Sequence, residues 1–462
     1  MRLRSLLACA ALAVTFATLS ATPELQADSR DRGDPIISPA LIAEIQEKSK
    51  VRAIVQLKPG HNVTDVARDL EHDSSGSRVL EATQSQRFFV AEVDRPLLAK
   101  LKRDARVQSV YKDELSMPTL DVTTNLIRSN RANDAGWTGR GATVAILDTG
   151  IDRDHPFFAG RLVDEACFSS SDTSDGAVSL CPNNQPSQIG PGSADAETRQ
   201  CLINAMNACS HGTHVAGIAA GRMAAGAPSD GVAPAAGILP IQVFSRVENS
   251  TTCSGTGAST PCFLTYTSDQ KLALEYVARV ARSHNVAAVN MSFGGGGPFN
   301  AACDTDATAG AVKPEFDALV ALGVAPVVSA GNNGFQNGVS FPACISAAVA
   351  VGATTDGDRL APFTNRGPML DLLAPGVNVN SSVPDDTYGV KSGTSMAAPH
   401  VTGMFALMKQ AYPSLTVAQS LQRLQASGPG IRYDAAGTRV TTTRIDAERA
   451  TAPARATADP RV

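Results

Sequence analysis

Beyond residue 115, short apolar runs alternate with longer segments of helical periodicity, and this alternation constrains the fold more than any other feature of the chain. The runs are TVAIL (143–147), GILPIQV (237–243), VAAVNMS (286–292), APVVSA (325–330) and AAVAVGA (347–353). The helical segments are HGTHVAGIAAGRM (211–223), DQKLALEYVARVARSHN (269–285), PEFDALVALG (314–323) and TSMAAPHVTGMFALMKQAY (394–412). Strands that are apolar on both faces need helices on both faces. The expectation is an α/β domain of three layers around a central, mostly parallel sheet. Residues 167–209 and 245–268 fit neither pattern and hold six cysteines, so they read as stapled surface insertions.

A smaller unit precedes this one. VRAIVQL (51–57), RVLEATQ (78–84), FFVAEV (88–93) and VQSVYKD (107–113) read as strands. NVTDVARDLE (62–71) and RPLLAKLKRD (95–104) read as helices, the first with Asn62 as N-cap and the second with Pro in its first turn. The order β-α-β-β-α-β is the ferredoxin-like arrangement. Polar residues 28–50 form a leader with one short helix expected from Pro39 to Lys48.

The N-terminus reads as a secretory signal peptide. Arg2 and Arg4 precede an apolar run from Leu6 to Leu19, too short for a comfortable membrane span, and cleavage is expected after residue 21 or 27. Export fits the cysteines: Cys9 leaves with the signal, and eight remain. An even count in an exported chain favours disulfides, and spacing alone suggests one, Cys253 with Cys262 around a Ser/Gly/Thr-rich loop. No CxxC occurs, which argues against zinc. A net charge of −4 argues against a nucleic-acid partner. No second long apolar segment indicates a membrane role.

Three short motifs carry chemistry. In TVAILDTGID (143–152) a buried strand delivers Asp148 to its carboxyl end, where sites form in parallel sheets; alone, a turn aspartate explains it as well. In SHGTHVAG (210–217) His211 stands where irregular chain meets an apolar helix. A metal pair with His214 is disfavoured, because the spacing is H-x-x-H without a glutamate. In SGTSMAAPHV (392–401) Ser395 opens a helix without charge up to Met408, so it is either a cap or a nucleophile on a rigid mount. Together, Asp, His and Ser supply an orienting carboxylate, a base and a nucleophile.

DTGID, HGTHVAG and GTSMAAP resemble the three signature motifs of the subtilisin-like serine proteases, in that family's Asp…His…Ser order. SAGNNG (329–334) resembles the family segment whose asparagine stabilises an oxyanion, here Asn332. The resemblance spans roughly residues 120–450, and residues 51–114 resemble the family's inhibitory propeptide. It implies a secreted serine endopeptidase acting on proteins and peptides, with Asp148, His211 and Ser395 catalytic. It implies that Ser292, Phe293 and Gly294 line one side of the main substrate pocket, and Ala330 and Gly331 with Asn332 the other. None is acidic, so a broad taste for uncharged P1 residues is expected. The implied organisation is a signal peptide (1–27), a leader (28–50), a propeptide acting as intramolecular inhibitor (51–114), a peptidase domain (115–450) and a disordered tail (451–462), with self-cleavage around 114–118. A monomer without a catalytic cofactor is expected. Structural calcium is common in the family. The usual aspartate position is here Phe157, and RMAAGAPSDG (222–231) is poor in ligands, so that site is expected to be missing. A catalytically dead binding protein and a peptide ligase on the same fold are the alternatives.

Overall fold

The structure, a computed structural model, describes residues 35–72, 78–82, 88–112, 120–256 and 258–453. The expected signal peptide, the cleavage region 114–118 and residues 454–462 of the tail lie outside them. The chain divides into two compact units, Met1–Leu115 and Ser116–Val462.

In the first unit, strand Val51–Leu57 alternates: Val51, Ala53, Val55 and Leu57 are buried while Arg52 is exposed. The helices Val63–His72 and Arg95–Leu101 cover the buried residues, the second capped by Asp94, which accepts from Leu97 N at 2.8 Å. The sheet order is Ile36–Ile37, Val107–Lys112, Val51–Leu57, Phe88–Val93, Arg78–Ala82. Its last four strands are mutually antiparallel, as a ferredoxin-like unit requires. Ile36–Ile37 adds a short parallel edge strand that hydropathy did not announce. The leader helix runs from Pro39 to Glu47.

The second unit is built on an eight-stranded sheet. Its order is Leu372–Pro375, Val349–Thr354, Ala325–Ser329, Val286–Met291, Thr143–Asp148, Gly237–Gln242, Ala166–Phe168, Ser187–Ile189. Every pairing is parallel except the last. Side chains of Thr143–Asp148 alternate between two cores. Val144 and Ile146 meet the helices Ser210–Ala220 and Thr394–Ala411; Ala145 and Leu147 meet Thr267–Val280 and Ala307–Ala321. This is the expected three-layer domain. Each fully buried Leu, Met or Phe in these cores contributes roughly 1.5–3 kcal/mol.

Thr143–Asp148 is the topological switch point. The chain leaves it for Gly237–Gln242 on one side, then crosses to Val286–Met291 on the other. At such a point the following loops diverge and open a crevice beyond the strand's carboxyl end. Asp148 is the last residue of that strand.

Three local features differ from the sequence expectation. The helix expected from Pro314 begins at Ala307, capped by Asp306, and carries Pro314 in its interior. Strand Leu372–Pro375 went unannounced, and so did the short strands Ala166–Phe168 and Ser187–Ile189 that extend the sheet into the first insertion. The final helix, Ala447–Thr451, ends on a buried Thr451 inside the range expected to be tail. The eight cysteines form four disulfides, Cys167–Cys181, Cys201–Cys209, Cys253–Cys262 and Cys303–Cys344. Among the described residues no helix is long and apolar enough to cross a membrane.

Candidate active site

Asp148 and His211 meet directly. Asp148 is 1% exposed, and its Oδ1 accepts from Thr149 N at 2.8 Å and lies 2.8 Å from His211 Nδ1. A histidine whose Nδ1–H is taken by a buried carboxylate keeps Nε2 as its basic nitrogen. His211 is the second residue of helix Ser210–Ala220, and three features hold that helix start in place. The Thr149 hydroxyl donates to Cys209 O at 2.8 Å and accepts from Gly212 N at 3.0 Å. Cys209 is joined to Cys201 by a disulfide. Gly212 permits the close approach, since a Cβ there would lie 2.1 Å from Gly150 O.

Ser395 stands in the first turn of helix Thr394–Ala411, whose early N–H groups have no partner within the helix. Pro399 lies four residues on and has no N–H to give back to the Ser395 carbonyl. The structure supplies a replacement: Ser292 Oγ donates to Ser395 O at 2.9 Å. Ser395 Oγ in turn donates to Ser292 O at 3.0 Å. The pair is extended inward, where Asn290 Nδ2 donates to Ser292 Oγ at 2.8 Å and Thr402 Oγ1 donates to Asn290 Oδ1 at 3.0 Å. The helix bearing Ser395 packs tightly on the helix bearing His211, for a Cβ at Gly403 would lie 2.7 Å from Ala219 O. Among the described residues no hydrogen bond joins Ser395 Oγ to His211. Such bonds commonly tighten only when substrate is bound.

Asn332 is exposed, yet its amide is oriented. Its Oδ1 accepts from Thr394 N at 2.8 Å and from Thr394 Oγ1 at 2.9 Å. That leaves Nδ2 as the donor beside Ser395. The Thr394 hydroxyl also accepts from Gly331 N at 3.2 Å. Asn365 shapes the loop behind, donating to Ala330 O at 2.8 Å and accepting from Asn333 N at 3.0 Å and Phe335 N at 3.1 Å.

Of the expected pocket residues, Ser292 is tied to Ser395, and Gly331 to Thr394. Ala330 is fully buried in the backbone pairing with Val351 and Ser340. Gly294 is exposed, whereas the Phe293 ring turns into the core and stacks edge-on against Phe244 at 5.8 Å. The Phe293 ring is thus turned away from solvent. Cys253 and Cys262 are bonded to each other in the second insertion, away from these contacts. Thr149, Asn290, Thr394 and Asn365 escaped the sequence reading. Thr149 and Thr394 adjoin a singled-out residue in the chain, which was the available signal.

His214 is a core residue. Its Nε2 lies 3.0 Å from Val379 O and from Gly389 O, and burial, with Lys391 next, pushes its pKa down to about 3. At the usual calcium position Phe157 offers no donor; it is fully buried and its ring packs on His155, Phe158 and Tyr388. These residues do not fit that ion. Asp152, Asp154 and Glu197 bring carboxylate oxygens within 4.8 Å of one another, and Asp152 also accepts from His155 N and Asp386 N.

Residues 139–442 match the subtilase family. Subtilisin E of Bacillus subtilis (strain 168) is 30% identical over 360 residues, 76% of this chain and 78% of that protein. The thermostable alkaline protease of Halalkalibacterium halodurans is 33% identical over 339 residues, 72% of this chain and 75% of that protein. A crystal structure of a cold-adapted subtilisin-like serine proteinase aligns with a TM-score of 0.47 at 28% identity, covering 67% of this chain and 90% of that one. The chain belongs to the subtilase family of serine proteases.

Proposed function

We propose that this chain is a secreted serine endopeptidase, made as a proenzyme, in which Ser395 is the nucleophile, His211 the base and Asp148 the orienting carboxylate. The observation that carries the reading is the 2.8 Å bond from the buried Asp148 to His211 Nδ1, which selects Nε2 as the proton acceptor. Ser395 Oγ attacks the scissile carbonyl, and His211 takes its proton and delivers it to the leaving amine. Asp148 holds the ring and stabilises its cationic form. The carbonyl oxygen, becoming negative, is met by Asn332 Nδ2 and by the Ser395 backbone N–H at the positive end of the helix. Water then releases the acyl group. No step uses a metal or cofactor.

The substrates are proteins and peptides. The segments 292–294 and 330–332 carry no acidic side chain, so uncharged P1 residues are accepted broadly. Chromogenic peptides varied at P1 test this: cleavage confined to Arg or Lys contradicts it. Residues 51–114 act as folding aid and inhibitor and are removed by self-cleavage around 114–118. Parallel sheets rest on distant contacts and form slowly, which is the physical need for such an aid. Ser395→Ala expressed without other proteases should accumulate the uncleaved chain, and normal maturation of that variant contradicts the proposal.

A further inference from the structure

Asp148 uses only one of its two oxygens. Oδ1 takes both Thr149 N and His211 Nδ1, while Oδ2, also buried, has no hydrogen-bond partner among the described residues. A carboxylate out of water with half of its acceptor capacity unused is costly. A donor in the same condition stands on the next strand. Gln242 is fully buried, and its Nε2 likewise has no partner among the described residues. The orientation of its amide is set, because Phe244 N needs an acceptor and takes Gln242 Oε1 at 2.7 Å.

Strand register brings the two side chains together. Gln242 pairs with Asp148 in the parallel ladder, and Val243 N donates to Asp148 O at 3.0 Å. Alternation puts both on one face of the sheet. Ile238, Val144 and Ile146 share the core with the helices Ser210–Ala220 and Thr394–Ala411, while Leu239, Ile241, Ala145 and Leu147 share the opposite core. Paired strands run about 4.8 Å apart, so a bare donor and a bare acceptor face each other across one strand spacing. They form no direct bond within 3.5 Å. A single water can serve both at once.

We propose that Gln242 is a positioning residue for catalysis, holding Asp148 Oδ2 through one bound water that accepts from Nε2 and donates to the carboxylate. This rests on the active-site reading above. With Oδ2 held, the carboxylate cannot swing about its bond to Cβ, and Oδ1 stays on His211 Nδ1. The donor also draws charge from the carboxylate, so Asp148 pulls less strongly on the His211 proton. Other charges near the pair are accounted for. His214 on the same helix as His211 is kept neutral by burial. Lys391 donates to Ser210 Oγ at 3.0 Å and acts on Asp148 only through space. The next carboxylate along the chain, Asp152, accepts from His155 N and Asp386 N. The strand Gly237–Gln242 has no charged residue, and Thr394–Ala411 has no acidic one in its first turn.

The test measures kcat and kcat/KM against pH for the wild type, Gln242→Met and Gln242→Lys on one chromogenic peptide. Both variants lose the acceptor for Phe244 N, so they differ in what they turn to Asp148: Met has no donor and Lys has one. Gln242→Met should lower kcat about tenfold with little change in KM, the scale of one hydrogen bond to a charged group. The acid limb of its kcat/KM profile should move up by about half a pH unit, since His211 holds its proton more firmly beside the unrelieved carboxylate. Gln242→Lys should recover most of the rate and move the limb down. Equal behaviour of the two variants with the limb unmoved overturns the inference and leaves Gln242 as a support for Phe244 N alone. A high-resolution crystal structure of the wild type tests it without any variant. One water within hydrogen-bond reach of both Gln242 Nε2 and Asp148 Oδ2 is expected. A dry gap, or a water bonded to only one of them, overturns the inference even if neither variant folds. A wild type that cleaves no peptide and leaves Ser395 unlabelled by a fluorophosphonate overturns the active-site reading, and the catalytic role of Gln242 with it.

Discussion

Thr394→Val isolates the orientation of the oxyanion donor. Asn332 presents its nitrogen because Thr394 holds its oxygen twice, through N at 2.8 Å and Oγ1 at 2.9 Å. Valine keeps the shape and the backbone N–H but removes the hydroxyl. One hydrogen bond contributes about 1 kcal/mol net, which is about fivefold in rate if it is expressed only in the transition state. Removing an oxyanion asparagine altogether costs about 10²–10³ in kcat, a range taken from this family. Thr394→Val should therefore lower kcat about fivefold, leave KM nearly unchanged, and fall far short of Asn332→Ala. The Gly331 N–H also loses its 3.2 Å acceptor, a stability cost of about 1–3 kcal/mol, so rates belong well below the melting temperature. The decisive assay is a double-mutant cycle on one chromogenic peptide. If Thr394 acts through Asn332, Thr394→Val has little further effect once Asn332 is alanine. Two independent, multiplying losses would mean that Thr394 does not act through Asn332.

Two further outcomes follow from the same geometry. Replacing Cys201 and Cys209 together by Ser should lower stability by about 2–3 kcal/mol in urea, the scale for a short loop, and reduce kcat as well, because Cys209 abuts the helix start that carries His211; unchanged kcat contradicts the second part. Asp152 is pushed up to about 7, by burial first, far above an unfolded aspartate near 3.9. The folded state therefore binds the extra proton between those values, so this contribution to stability is complete below about pH 4 and is lost as pH rises through about 7. Urea midpoints from pH 4.5 to 8 should fall less steeply for Asp152→Asn than for the wild type, and parallel profiles contradict the assignment.

The layers were legible because period and length agreed: Val144/Ile146 and Ala145/Leu147 announce a strand buried on both faces, and the charge-free run after Ser395 announces a core helix. The misreadings have physical causes. Pro314 looked like a helix start because Pro is favoured in first turns, while the real signal was Asp306, whose carboxylate caps Thr308 N and Ala309 N at 2.9 and 3.2 Å. Leu372–Pro375 is four residues long and exists by pairing with Val349–Thr354, a contact that no local pattern encodes. Cys303 and Cys344 are 41 residues apart, and only the fold brings them together. At the site, Asp148, His211, Ser395 and Asn332 stood out by motif. Their supports did not, because Thr149, Thr394 and Asn290 are ordinary polar residues until distant partners face them. The Ser292–Ser395 clasp is partly foreshadowed, since Pro399 in the chain leaves a carbonyl in want of a donor.

Every step of the proposed mechanism depends on Ser395 acting as the nucleophile, activated by His211. Its most direct test is treatment of the mature protein with a fluorophosphonate, followed by mass mapping of the adduct and parallel treatment of His211→Ala. The expected result is one adduct, on Ser395, with peptide hydrolysis lost in step with labelling and labelling strongly slowed in His211→Ala. An adduct on another residue, or hydrolysis that survives full labelling of Ser395, would contradict it.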